Sequence, residues 1–303
     1  VAARRGALNY SITTFRHMMT QIATTSPSPV IIRPRSGWGL PSAAELWAYR
    51  DLLGMLALRD ISVRYKQTFL GVSWAVLQPV ATMLIFAIFF GHLGGLSRHV
   101  PDGTPYFIYT FCALLPWQLF AHALTAAGNS LIENQNLVTK VYFPRVIVPL
   151  SAVLVGLVDF AVALLVLVAM MAWCGIWPGL PMLSVPLFTL VAVLTALAVG
   201  IWLAALNTLY RDFRYTIPFL TQIWLFASPV AYPASIVPDR WGLPLIYSLN
   251  PMVGVIEGFR WAMLGVGEPP GPMAAVSIAA TAVMLWTGLI YFRRVERILA
   301  DRI

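Results

Sequence analysis

Charge is what this sequence has least of. Asp, Glu, Lys and Arg together make up 11% of the 303 residues, against about 25% in an ordinary soluble domain. A soluble fold of this size could not cover its surface with so few charged groups, so that class is excluded. The 59% hydrophobic content excludes a disordered chain as well. Cysteine is nearly missing. Cys112 and Cys174 both lie in apolar runs without a CxxC or metal spacing, which excludes a disulfide scaffold. His17, His92, His99 and His122 are scattered and form no metal-ligand pattern. Only two lysines occur, Lys66 and Lys140, and neither follows a glycine, so there is no GxxxxGK[ST] phosphate loop. HExxH, GxSxG and dinucleotide fingerprints are absent too. No catalytic residue, metal ligand or cofactor of the chain's own is expected.

What is present is long apolar runs. They predict six membrane spans, at about 70–92, 105–127, 147–171, 183–206, 216–234 and 273–292, each near the roughly 20 residues needed to cross the hydrocarbon. The fold class is therefore an all-α polytopic membrane protein with both termini on one side. The net charge of +8 becomes an orientation signal rather than a nucleic-acid signal. With cytoplasmic termini, the inner segments 1–69, 128–146, 207–215 and 293–303 hold 17 of the 20 Lys and Arg residues. The outer segments hold only Arg98, Arg240 and Arg260. That is the positive-inside bias. The first 65 residues contain no apolar h-region, so no cleavable signal peptide is expected.

The segments between spans have their own patterns. Residues 1–42, broken by Ser26-Pro27-Ser28-Pro29 and Arg33-Pro34-Arg35, read as a flexible cytoplasmic tail. Residues 43–66 read as an amphipathic helix at the membrane surface, with Leu46, Leu53 and Leu56 on one side and Ser42 and Glu45 at its start. The inner loop NSLIENQNLVTKVYFPR suits a short helix parallel to the membrane, ending before Pro144. The inner loop NTLYRDFRYTIPFL sets Arg211, Asp212 and Arg214 among Tyr210, Phe213 and Tyr215; either arginine can pair with Asp212 while the rings sit at headgroup level. Outside, residues 235–271 are largely apolar but broken by Pro244 and Pro251. A re-entrant helical hairpin before the last span fits them better than a loop, since broken backbone at membrane depth survives when buried in protein.

Asp159 is the one acidic residue well inside a span. It must face the bundle or a polar partner, and a structural role is preferred to proton relay or ion binding. Aromatic residues are 13% of the chain; many mark span ends, and others can line a passage along which sugar rings slide on weak, repeated contacts.

Four blocks carry a resemblance: RDISVRYKQTFLGVSWAVLQPVATMLIFAIFF at 59–90, NLVTKVYFPR at 136–145, LNTLYRDFRYTIPFLTQIWLFASPVAYP at 206–233 and NPMVGVIEGFR at 250–260. In this order they resemble the transmembrane subunits of ABC-2-type exporters, specifically polysaccharide and O-antigen permeases. The likeness covers about residues 43–303. It implies a domain organisation of tail (1–42), interface helix (43–66) and transmembrane domain (67–303). The transmembrane domain would hold a coupling helix at about 131–143 and a re-entrant segment at about 236–262. It implies a homodimer in the bacterial inner membrane, served by two copies of a separate ABC ATPase that bind ATP and Mg, with a lipid-linked polysaccharide as substrate. No nucleic-acid partner is expected. By the same resemblance, Glu133, Lys140 and Arg145 would couple to the ATPase. Arg211, Asp212 and Arg214 would serve the inner gate region. Asn250, Pro251, Glu257 and Arg260 would shape the re-entrant segment, and Phe86, Phe90, Trp224 and Tyr232 are candidates for the channel lining. The alternatives are an ABC-2 exporter of another lipid or drug, a polytopic enzyme acting on a lipid-linked sugar, which lacks its acidic cluster here, and an ion-coupled transporter, for which Asp159 stands too nearly alone.

Overall fold

The computed structural model describes residues 43–66, 73–101, 103–210, 212–238, 243–267 and 269–302. The expected tail at 1–42 and Arg211 lie outside the described residues. Everything described is helix or connecting turn. Two helices come first, α1 (Ala43–Ala48) and α2 (Arg50–Lys66), parted at Tyr49. Then come α3 (Ser73–Phe86), which continues as a π-helix over Ala87–Leu93, and α4 (Tyr106–Glu133). The short α5 (Gln135–Lys140) precedes α6 (Ile147–Trp173). A 3-10 turn over Leu180–Ser184 leads into α7 (Val185–Leu209). The rest is α8 (Phe213–Phe226), α9 (Leu243–Tyr247), α10 (Pro251–Leu264) and α11 (Pro272–Arg302).

Among the described residues, five helices are long and apolar enough to cross a membrane: Ser73–Leu93, Tyr106–Glu133, Ile147–Trp173, Leu180–Leu209 and Pro272–Glu296. The stretch expected as the fifth span, 216–234, is different. Its helix, α8, has 14 residues, about 21 Å at 1.5 Å per residue, short of a hydrocarbon core of about 30 Å. Beyond Phe226 the chain turns rather than continuing as helix. The 43–66 stretch is helical as expected. Its Leu56 and Ala57 are buried, but Met55, Leu58 and Val63 are exposed, so apolar groups occur on more than one side.

The core is built around α4, buried along most of its length and packed chiefly on α7 and α6. In turn α11 packs on α7 and α10. Close approach depends on small residues, as expected where lipid provides no hydrophobic drive between helices. A Cβ on Gly200 would stand 2.5 Å from the Ala127 methyl, and one on Gly258 would fall inside the Phe188 ring. Polar side chains add links across helices: Asn207 Nδ2 donates to the Gly128 carbonyl at 3.0 Å, and the Thr195 and Thr281 hydroxyls meet at 2.9 Å.

Candidate functional site

Helix α10 starts with Asn250 as its N-cap and Pro251 at its first position, where a missing N–H costs nothing. It stops at Gly265, whose φ of 65° suits a residue without Cβ. Asn250 does more than cap. Its Oδ1 accepts from Met252 N at 3.1 Å and from Trp224 Nε1 at 2.8 Å. Its Nδ2 donates to the Ala227 carbonyl and to Ser228 Oγ, each at 3.0 Å. One amide thus ties α10 to the end of α8. Nearby, the Tyr232 and Tyr247 hydroxyls lie 3.1 Å apart. Burial and the Tyr232 hydrogen bond push the Tyr247 phenol well above the usual tyrosine range.

Nearly three turns further along α10, Arg260 is 0% exposed. Its Nη1 donates to Glu257 Oε1 at 3.0 Å and to the Tyr232 carbonyl at 3.2 Å. Its Nη2 donates to the Val230 carbonyl at 2.8 Å, and Cζ lies 3.8 Å from the centre of the Tyr109 ring. Glu257 Oε1 also accepts from Ala234 N at 2.9 Å. The guanidinium is therefore stacked and paired through its two terminal nitrogens, as a buried cation needs, while its buried Nε meets no partner among the described residues. It fastens the non-helical 230–234 backbone to α10 and α4. The four residues named from sequence for this segment fall into two networks, Asn250 and Pro251 at the start of α10 and Glu257 with Arg260 further along it.

A second polar cluster surrounds Asp159 on α6. Arg64 Nη2 lies 2.6 Å from Asp159 Oδ2. Tyr65 Oη donates to Oδ1 of the same carboxylate. Arg64 Nη1 contacts His122 Nε2 at 2.7 Å. Burial, with the Asp159 hydrogen bond adding, pushes the Tyr65 phenol up to about 12. The one acidic residue expected well inside a span is thus partnered from α2, 95 and 94 residues away. Reading the sequence alone missed Arg64 and Tyr65; the signal was an arginine and a tyrosine next to each other just before the first apolar run.

The other residues named from sequence are distributed differently. Glu133 ends α4 and Lys140 ends α5; both are exposed. Arg145 is not with them: its Nη1 donates to the Glu296 carbonyl of α11 at 2.6 Å. Asp212 and Arg214 are exposed and form no ion pair among the described residues. Phe86 is buried, with its ring 5.0 Å from Phe90 on α3. Trp224 packs edge-on against Phe120 at 5.0 Å, away from that pair in sequence and attached to Asn250. Two further contacts hold α1 and α2: Glu45 to Arg293 at 3.9 Å, and Arg59 Nη2 to Asn134 Oδ1 at 2.7 Å.

Known proteins share this sequence pattern. A family model described as ABC-2 type transporter matches residues 51–264. An O-antigen export system permease protein, RfbA, of Myxococcus xanthus is 34% identical over 253 residues, 82% of this chain and 94% of that protein. The RfbA permease of Klebsiella pneumoniae is 28% identical over 211 residues, 69% of this chain and 79% of its own length. The polysialic acid transport protein KpsM of Escherichia coli is 23% identical over 246 residues, 80% of this chain and 92% of its length. The match runs from α2 to the end of α10, through both polar clusters. This chain belongs to the ABC-2 type transporter family.

Proposed function

We propose that the chain is the transmembrane permease subunit of an ABC exporter that moves a lipid-linked, O-antigen-like polysaccharide across the bacterial inner membrane. The observation that carries this is the likeness to the Myxococcus permease over 94% of that protein's length. Two copies of the chain would form the passage, and two copies of an ABC ATPase would bind ATP and Mg and supply the energy. The chain itself breaks no covalent bond of its cargo. Six passes result if α8 and the turn to 234 together cross the membrane; α9 and α10 are then the re-entrant hairpin on the outer side, and both termini are cytoplasmic. Residues 1–42 are a tail, 43–66 an interface helix and 67–303 the transmembrane domain.

In this reading the α4–α5 corner, about 131–143, docks the ATPase. The exposure of Glu133 and Lys140 supports that role, since a docking surface must be reachable. Arg145 anchors the corner to α11 through Glu296. Arg211, Asp212 and Arg214 lie at the inner mouth, and Phe86, Phe90, Trp224 and Tyr232 belong to the aromatic lining or its support. ATP-driven closure of the ATPase pair would push α5 and reshape the passage. Co-purification with the ATPase, followed by ATPase assay with lipid-linked glycans, tests this. Glu133→Ala with Lys140→Ala should abolish stimulation by the glycan while membrane insertion stays normal. Unchanged stimulation would remove the docking assignment, and failure to recover any ATPase partner would remove the exporter reading.

A further inference from the structure

A cavity of about 280 Å³ lies between α2, α3, α4 and α6. Arg64, His122 and Asp159 form one polar wall; Gln78, Gln118 and Trp74 also line it, and Leu115, Leu119 and Phe160 give it an apolar side. The polar wall is internally balanced. Asp159 is matched by Arg64 at 2.6 Å and receives the Tyr65 hydroxyl. A guanidinium nitrogen can only donate, so His122 accepts through Nε2 at 2.7 Å and its imidazole is uncharged. The sum over the wall is zero.

The Gln78 and Gln118 side-chain amides, by contrast, enter no hydrogen bond among the described residues. Each offers two N–H donors and a carbonyl acceptor. Trp74 is exposed beside them and presents a flat apolar face. An anion entering here would meet an arginine already neutralised. A cation would meet a carboxylate already occupied. A purely apolar guest would leave the half-buried Gln118 amide without a partner, which costs free energy, although the exposed Gln78 amide can turn away from it. An uncharged, hydroxyl-rich ring meets all these conditions: its hydroxyls both donate to and accept from the amides, and its C–H face lies on the indole. We infer that the cavity binds one neutral sugar ring, an inference that rests on the proposed export of a glycan.

The test uses the full chain in lipid nanodiscs, photolabelled with a diazirine-bearing alkyl glucoside and mapped by peptide mass spectrometry. Label is expected on the peptides containing 74–79 and 115–122. Octyl glucoside should displace it. Methyl glucoside displacing it too would locate recognition in the ring itself, supporting a chain-internal sugar as ligand; displacement by octyl glucoside alone would support the lipid-proximal sugar. Octanol and octyl phosphate should displace little. In Gln78→Leu with Gln118→Leu, labelling should fall about thirtyfold, two hydrogen bonds at about 1 kcal/mol each setting the scale. The site is overturned if octanol or octyl phosphate competes as well as octyl glucoside, or if the folded double variant labels like the native chain. The competition arm uses the native chain and stands even if the variant does not fold. Specific labelling without glycan-stimulated ATPase would count against the exporter reading alone; stimulated ATPase without specific labelling would count against this site alone.

Discussion

Arg260 ties α10 to α4 and to the backbone around Val230 and Tyr232. It reaches two backbone carbonyls, one carboxylate and one aromatic face without touching solvent. Replacing it with methionine leaves Glu257 without its partner and the Val230 and Tyr232 carbonyls without donors. The expected cost is about 3–5 kcal/mol, the usual result of breaking a buried pair from one side, read as a fall in the thermal unfolding midpoint in detergent. Arg260→Lys should recover only part, because an ammonium cannot reproduce the planar fork. Asn250 behaves similarly on a smaller scale. Asn250→Ala removes the N-cap and the Trp224 and Ser228 bonds together, for an expected loss of about 1–2 kcal/mol. A Trp224 emission shift, isolated as the difference from a Trp224→Phe control, should accompany it.

Among elements, α2 is the one whose position depends on contacts between distant parts of the chain. It meets the α4–α5 corner through Arg59–Asn134 and α6 through Arg64–Asp159. Arg64→Met and Asp159→Asn should therefore be non-additive, with a coupling of about 1–2 kcal/mol after allowance for side chains 39% and 21% exposed. Faster trypsin cleavage at Lys66 in either single variant would report α2 leaving α6. Unchanged cleavage would show that α2 is held without the Arg64–Asp159 pair. At the α10–Phe188 crossing, Gly258→Ala should cost about 1–3 kcal/mol by overpacking, and Phe188→Leu in the same chain should restore part of it. These contacts mark what could be read beforehand. The long spans were legible because their period and length need no partner. So was the proline-broken apolar segment that contains Asn250, Pro251 and Arg260. The Arg64 and Tyr65 partnership with Asp159 was not legible, since nothing local says which helix will face a carboxylate some 95 residues on. Nor was the length of α8 legible, because apolar composition continues through 227–234 after the helix has ended.

The molecule as a whole carries two thiols that report its direction. Cys112 is buried and Cys174 is exposed just past the end of α6. With cytoplasmic termini, Cys174 lies on the outer side. A membrane-impermeant maleimide should then label it in spheroplasts and fail to do so in inside-out vesicles, with Cys174→Ser as the blank. The reverse pattern would invert the topology. The same assembly bears on how the chain is made. A segment ending in an uncompensated arginine enters lipid at a cost of about 2.5–3.5 kcal/mol near mid-bilayer. The acceptors that relieve it come from 230–234, which is synthesised earlier, and from Glu257 in the same helix. The Tyr109 ring that covers the guanidinium is made earlier still, on α4. The order of synthesis thus delivers every described ligand of Arg260 before Arg260 itself leaves the ribosome, and α10 is ready to close on them as a late event of biogenesis.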